Sequence, residues 1–424
     1  MSLALPTVDE PTRHGFLTNY PHFRRWRPEA ISSLVEPQPL NVYVHIPYCI
    51  QRCAYCFYKV TKLGDNRKAQ IDRYVDALCT EIDRVVDRFH LGERPVDTIY
   101  FGGGTPTVLS KDNLSRIFET LHRKFRIDSP EITVEAEPVT LIESKADHLE
   151  SLGVNRISMG IQSFKTEVVA QTGRVDTEEH MLRAIEVAKG TGAAVNIDLM
   201  SGLAGDTDEG WAYSVERAIQ SEAHSLTVYK TEIYANSAYY GGVKRKTLDL
   251  PSDEDELRFA AHAIERFEGA GYLPVNFFTF TKGGKYMQRH ATNSWRGHEL
   301  YGFGVSAFGM FDGHTLQNTG DVTRYIDQVE AGKIPLARGH RLTAHEWMIR
   351  DLALGMKLIR FDRKAFRKRY GFDVMRLCGD TIRELIDQGF VTLDDEALAL
   401  TRKGILWGDH VGHRLVAAME ASAA

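Results

Sequence analysis

The stretch EITVEAEPVTLIESKADHLESLGVNRISMGIQSF (131–164) decides the fold. It opens on a β-rich run (131–137), passes through a helical segment that stops at Gly153 (144–153), and returns to a second β-rich run (156–162). A strand, a helix and a strand within some thirty residues is the unit of a parallel sheet, because parallel neighbours need a crossover long enough to hold a helix. The same alternation extends both ways. Upstream lie a strand at 41–47, apolar residues at helical spacing across 68–87, a strand at 97–101 and a helix at 111–125. Downstream lie a helix at 177–190, a strand at 193–200, a helix at 208–221 and a strand at 225–233. Six strand runs, most followed by a helix, predict an α/β fold: a partial (β/α)6 barrel, TIM-like and open. Its functional groups are then expected at the C-terminal ends of the strands.

The expected organisation is an N-terminal arm over 1–38, the partial barrel over 39–272, a Gly- and aromatic-rich strand extension over 273–340, and a mostly helical, winged-helix-like domain over 341–424. Ser252 with Asp255 and Thr343 with Glu346 read as capping boxes opening helices.

The chain has 424 residues, 43 % apolar and 26 % charged, with a net charge of −5. A basic excess of the kind that marks nucleic-acid partners is absent. No apolar run approaches the roughly 20 residues that span a bilayer. The N-terminus does not read as a secretory signal, so the expected location is the cytoplasm, with neither a nucleic acid nor a membrane as partner.

Three of the five cysteines fall within eight residues, in HIPYCIQRCAYCFYK (45–59), as Cys49-x3-Cys53-x2-Cys56. Three thiolates on one loop can hold three irons of a 4Fe-4S cubane and leave the fourth open, whereas ordinary clusters take four cysteines. The competing reading is zinc, which needs four tetrahedral ligands. Cys79 and Cys378 lie in helical patterns and read as core residues. FGGGTPT (101–107) joins a strand to a helix, and its glycines suit a close approach of backbone to ligand. In VEAEP (134–138) Glu135 and Glu137 share one strand face.

With Tyr55 before its last cysteine, the motif resembles the signature of the radical S-adenosylmethionine (SAM) superfamily. The order YVHIPYC, GGGTPT, VEAEP, VNRISMGIQSF, NIDLMSGL and YGFGVSAFG is similar to the subgroup of the oxygen-independent coproporphyrinogen III oxidases. That resemblance implies a 4Fe-4S cluster on Cys49, Cys53 and Cys56, and SAM, in one or two molecules. By position, Tyr43, Gly103, Glu135 and Phe308 match residues contacting the cluster-bound SAM. Tyr55, Gly104, Thr105, Gln162, Arg174 and Asp198 match residues around a second. Ser201, Ala204 and Glu232 depart from the subgroup, at positions expected to face substrate or SAM.

The resemblance implies a radical enzyme with a small-molecule substrate and a one-electron donor such as flavodoxin or ferredoxin. The first expectation for its reaction is C-methylation of a heteroaromatic, tetrapyrrole or natural-product substrate, with the second SAM as methyl source. The alternatives are oxidative decarboxylation of coproporphyrinogen III, for which Arg24, Arg25 and Arg27 are candidate carboxylate partners, and a haem-binding chaperone.

Overall fold

Six strands run parallel and side by side in chain order in the computed structural model, which describes Tyr20 and residues 22–27, 40–63 and 67–422. They are β1 (Leu40–Ile46), β2 (Val96–Gly103), β3 (Glu131–Ala136), β4 (Arg156–Gln162), β5 (Ala194–Ser201) and β6 (Ser225–Lys230). The helices α1 (Arg67–Arg88), α2 (Lys111–Lys124), α3 (Glu143–Ser151), α4 (Glu178–Gly190) and α5 (Asp208–Gln220) lie between successive strands, and α6 (Asp253–Gly269) follows β6.

Alternation explains which way each side chain points. Val42, Val44 and Ile46 of β1 are fully buried in the apolar core, while Tyr43 and His45 take the opposite face. On α1 the residues Ile71, Val75, Leu78, Ile82 and Val85 form one buried stripe, as their spacing predicts. Ser252 and Thr343 both close the expected capping boxes. Such caps are worth about 1 kcal/mol each. Cys378 is buried and Cys79 packs on the core, as expected.

The elements differ from the sequence reading at two ends that matter. Strand β2 continues to Gly103, so two of the three glycines belong to the strand. Strand β6 stops at Lys230, short of 233, because Thr231 turns back and donates through N and Oγ1 to the Ser201 carbonyl (2.9 and 2.7 Å).

Later strands extend the sheet at both edges. β7 (Tyr272–Pro274) and β8 (Thr279–Lys282) add antiparallel beside β6. β9 (Leu300–Phe303) adds parallel beside β1, followed by the antiparallel β10 (Phe308–Phe311), β11 (His314–Asn318) and β12 (Leu336–Arg341). Because β1 and β6 never pair, the sheet stays open. Beyond it, α7 (Ala344–Gly355) leads into further helices and a three-stranded antiparallel sheet. Most of the expected N-terminal arm lies outside the described residues.

Candidate active site

The three motif cysteines sit just past β1 in a loop clamped on each side. Gly104 N donates to the Ile46 carbonyl and Thr105 N to the Tyr48 carbonyl (both 2.8 Å), which ties the end of β2 to the start of the loop. Thr105 Oγ1 donates to Cys49 Sγ at 3.5 Å. Ala54 N donates to the Thr172 carbonyl (2.8 Å), and Tyr239 N to the Ala54 carbonyl (3.0 Å). Cys49 is buried, Cys53 and Cys56 are half-buried, and all three thiols are free. Burial pushes the Cys49 thiol up to about 12 and the Cys56 thiol to about 11. A metal must therefore displace the protons for these sulfurs to become ligands.

Each glycine of the run makes room for something specific. A Cβ on Gly102 would lie 2.8 Å from the Glu135 carboxyl carbon and the Tyr100 ring, and one on Gly104 would lie 2.7 Å from the Ile46 and Tyr48 carbonyls. Gly103 has φ +101°, and a Cβ there would overlap the His45 ring. Part of the space that suggested ligand contact is thus used by the protein's own packing.

Glu135, at the end of β3, accepts from Tyr100 OH (2.6 Å) and from Gly103 N (3.2 Å). Burial moves its carboxyl up to about 7, opposed by the Tyr100 hydrogen bond and reinforced by the charge of Asp198. Asp198, on β5, accepts from Asn196 Nδ2 (2.7 Å) and Ser158 Oγ (3.1 Å), and burial moves it up to about 6. Tyr43 stacks on Tyr100 with centroids 6.1 Å apart, and its hydroxyl bonds His45 Nδ1 at 3.0 Å. Burial lowers His45 to about 4, and its Nε2 is buried without a hydrogen-bond partner among the described residues. Tyr58 and Tyr229 feel the charges of both Glu135 and Asp198, so side chains of β1, β2, β3, β5 and β6 meet in one polar, phenolic group.

Arg174 reads from sequence equally well as a solvated arginine, but its side chain is only 3 % exposed. It donates to Asp176 (2.9 Å) and to the Gly160 carbonyl (2.8 Å). Burial opposes its charge, yet Tyr55, Glu137, Asp176 and Cys53 around it hold its pKa above the ordinary value. Gln162 takes φ +69° at a bulge between β4 and β5, which sets its amide over Gly160 beside Arg174.

The fold thus gathers Tyr43, Tyr55, Gly103, Gly104, Thr105, Glu135, Gln162, Arg174 and Asp198 around the cysteine loop. Phe308, on β10, lies one strand further out, its carbonyl against Gly302, the register partner of Tyr43; it is 42 % exposed and meets Phe23 edge-on at 6.4 Å. Sequence reasoning put Glu137 on the face of Glu135 without including it among the SAM contacts, and left out His45 and Tyr229 as site members. Glu137 has a buried Oε2 without a hydrogen-bond partner among the described residues and acts electrostatically on all three cysteines. Its alternation with Glu135 was the available signal. His45 and Tyr229 share a face with Tyr43 and Thr227 on their strands, a signal of the same kind.

Two positions expected to face substrate do not. Ser201 is buried on the far side of β5 from Asp198 and donates to the Tyr229 carbonyl (3.4 Å). Ala204 is buried with Val168, Leu203 and Tyr239 behind the cysteine loop. Glu232 pairs with Lys230 at 3.9 Å. Two of the three arm arginines are engaged elsewhere. Arg25 pairs with Glu346 (3.2 Å), Arg27 exchanges backbone hydrogen bonds with Gly339, and the Arg27 side chain donates to the Arg24 carbonyl.

Comparison with known proteins accounts for this arrangement. The model of the radical SAM superfamily matches residues 43–218, and that of the HemN C-terminal domain matches residues 342–407. The oxygen-independent coproporphyrinogen III oxidase of Salmonella typhimurium is 30 % identical over 397 residues, covering 89 % of this chain and 85 % of that protein. The chain belongs to the radical SAM family of the coproporphyrinogen III oxidases and HemW haem chaperones. The HemW haem chaperone of Escherichia coli is also 30 % identical, over 88 % of this chain and 97 % of that protein. The solved structure of E. coli coproporphyrinogen III oxidase, HemN, superposes with a TM-score of 0.82 at 25 % identity, covering 95 % of this chain and 96 % of that one.

As a radical SAM enzyme the chain uses a 4Fe-4S cluster and SAM on a small-molecule substrate. Its residues fit the cluster. Cys49, Cys53 and Cys56 carry free thiols on one clamped loop, with Thr105 Oγ1 donating to Cys49 Sγ, and three thiolates leave one iron of a cubane open. Among the described residues no helix is long and apolar enough to cross a membrane.

Proposed function

We propose that this enzyme is a two-SAM radical C-methyltransferase acting on a heteroaromatic or tetrapyrrole-like substrate of low negative charge. When bound, the cluster supplies the electron that splits one SAM into methionine and a 5′-deoxyadenosyl radical. Cys49, Cys53 and Cys56 hold that cluster. Glu135, fixed by Tyr100 and the Gly103 amide, is placed to accept from a ribose hydroxyl. Asp198, Gln162, Arg174 and Tyr55 form a second polar group across the cavity, suited to a second SAM.

One observation carries the choice of reaction. Glu135, Glu137 and Asp198 line the site, its buried cations Arg174 and Arg156 are held by Asp176 and by Ser225 Oγ and the Tyr286 carbonyl, and of the arm arginines Arg25 pairs with Glu346 and the Arg27 side chain donates to backbone. Such a cavity disfavours a substrate with four propionates. Decarboxylation of coproporphyrinogen III is the second reading, supported by the 30 % identity to the Salmonella oxidase over most of both chains.

The deciding experiment is anaerobic incubation of the reconstituted enzyme with methyl-labelled SAM, dithionite and candidate substrates. Label in product together with S-adenosylhomocysteine supports methylation. Carbon dioxide from coproporphyrinogen III without label transfer sinks it, as does haem retention without SAM cleavage.

A further inference from the structure

Across five neighbouring strands, one row of residues runs outward from Tyr43 on the face that carries the site. Tyr43 on β1 is in register with Gly302 on β9, which abuts Phe308 on β10. Phe308 is in register with Gln317 on β11, and Gln317 with Arg338 on β12. The opposite face of these strands is core, where Tyr301, Phe303 and Phe311 pack with Phe89. Resting on the reading of a substrate of low negative charge given above, we propose that Arg338 anchors one carboxylate of a tetrapyrrole-like substrate.

The surroundings of Arg338 fix its guanidinium. Gln317 Oε1 accepts from both Nε (2.8 Å) and Nη2 (2.6 Å), and the guanidinium carbon lies 5.5 Å from the centroid of the Phe23 ring. One edge and one face are thereby occupied, while Nη1 makes no hydrogen bond among the described residues. The remaining edge is the fork that receives a carboxylate through two parallel bonds. Among the described residues no carboxylate of the protein takes it, whereas Arg174 is held by Asp176, Arg25 by Glu346 and Arg369 by Asp351. Phe308 and Phe23, edge-on to each other, put ring surface beside the charge, which suits a planar apolar body carrying an anionic arm. Length sets the size of that body. Tyr43 and Arg338 are four strand spacings apart, roughly 19 Å between backbones at about 4.8 Å each, so a molecule reaching from the SAM contacts to this arginine is larger than one heterocyclic ring. One fixed cation answers one carboxylate, which agrees with the acids lining the site and not with four propionates.

The test uses the cluster-reconstituted enzyme with SAM, kept anaerobic, and a pair of probes. These are pyropheophorbide a, a planar tetrapyrrole with one carboxylate, and its methyl ester, in which that charge is gone. Affinity is read by quenching of the probe's fluorescence. Wild type should bind the acid at least about tenfold more tightly than the ester at low ionic strength. R338A should lose that preference by weakening the acid alone, with the ester bound as by wild type. R338K should keep part of it, because the charge stays and the fork goes. Equal affinity of wild type for acid and ester, no binding of either, or an acid preference that survives in R338A overturns the proposal. Should R338A fail to hold its cluster iron, R338K decides, and an undiminished acid preference there overturns the proposal as well. The methyltransferase reading fails separately: an acid preference abolished by R338A, with no label passing from methyl-labelled SAM to product, leaves the anchor standing and removes methylation.

Discussion

Replacing Gly103 by alanine tests whether the turn after β2 exists to seat the site. Two costs meet there. The backbone sits at φ +101°, where a side chain costs about 1–3 kcal/mol, and the new methyl group overlaps the His45 ring. Gly153 provides the control, because its φ is +83° and the nearest atom to an added Cβ, Ile132 Cδ1, is 4.0 Å away. G153A should therefore lose only the backbone term, about 1–2 kcal/mol of stability by chemical denaturation, and cleave SAM at the wild-type rate. G103A should lose more, because the overlap with the buried His45 ring adds to the backbone term, and should also displace His45. That ring bonds Tyr43 OH, and Gly103 N bonds Glu135, so the shift reaches two expected SAM contacts. Losing one hydrogen bond to the carboxylate is worth about 1.5–3 kcal/mol, or roughly 10- to 150-fold in SAM affinity. The H45A/G103A double mutant should bind SAM better than additivity of the singles allows, with a coupling of about 1–3 kcal/mol, because the methyl then has room. Calorimetric SAM titration of the reconstituted proteins reads all four corners. If G103A binds SAM as tightly as G153A does, the turn does not position the site and the reasoning fails.

Three further outcomes are expected. C53A should lose cluster iron and 5′-deoxyadenosine formation together, read by iron assay and chromatography. D198A should keep the iron content but bind one SAM fewer at saturation, read by equilibrium dialysis. Glu81 is 1 % exposed and accepts from Gly304 N, Asn318 Nδ2 and Tyr325 OH, and burial raises it from 4.5 to about 7. A raised carboxyl favours the fold below pH 4.5 and loses that contribution as pH climbs through about 7. At about 1.36 kcal/mol per pH unit, wild type should shed roughly 3 kcal/mol between pH 4.5 and 8 that E81Q does not, read by urea denaturation.

Much of this was legible because the relevant signals are local. The run 156–162 forms β4 with the bounds its pattern gives, and the cysteine spacing needs nothing beyond one loop. Other features depend on partners far away in the chain. Arg174 reads as a surface cation until Asp176, Gly160 and Tyr55 close around it, and no window of sequence contains all three. The strands of 272–341 read as one extension, yet they divide between opposite edges of the sheet, because the choice of partner strand is settled by packing and not by propensity. Glu137 escaped because alternation names a face and does not rank the acids on it.

The departures at Ser201 and Ala204 show why position in the chain is weaker evidence than position in space. Both lie a few residues after Asp198, and by their place in the subgroup's pattern both were expected at the substrate or SAM. Ser201 is three residues past Asp198, so the period of two turns it to the other face of β5, where Lys230 also points. Ala204 lies past the strand end, where its amide accepts no substrate role because it donates to Tyr239 OH (3.3 Å), and Tyr239 in turn holds Ala54 between the last two motif cysteines. A change at Ala204 therefore acts on the shape of the cysteine loop, and a change at Ser201 on the packing behind β5. Substitutions at these two positions therefore test packing around the site, and substrate tests bear instead on Glu135, Asp198 and Arg174.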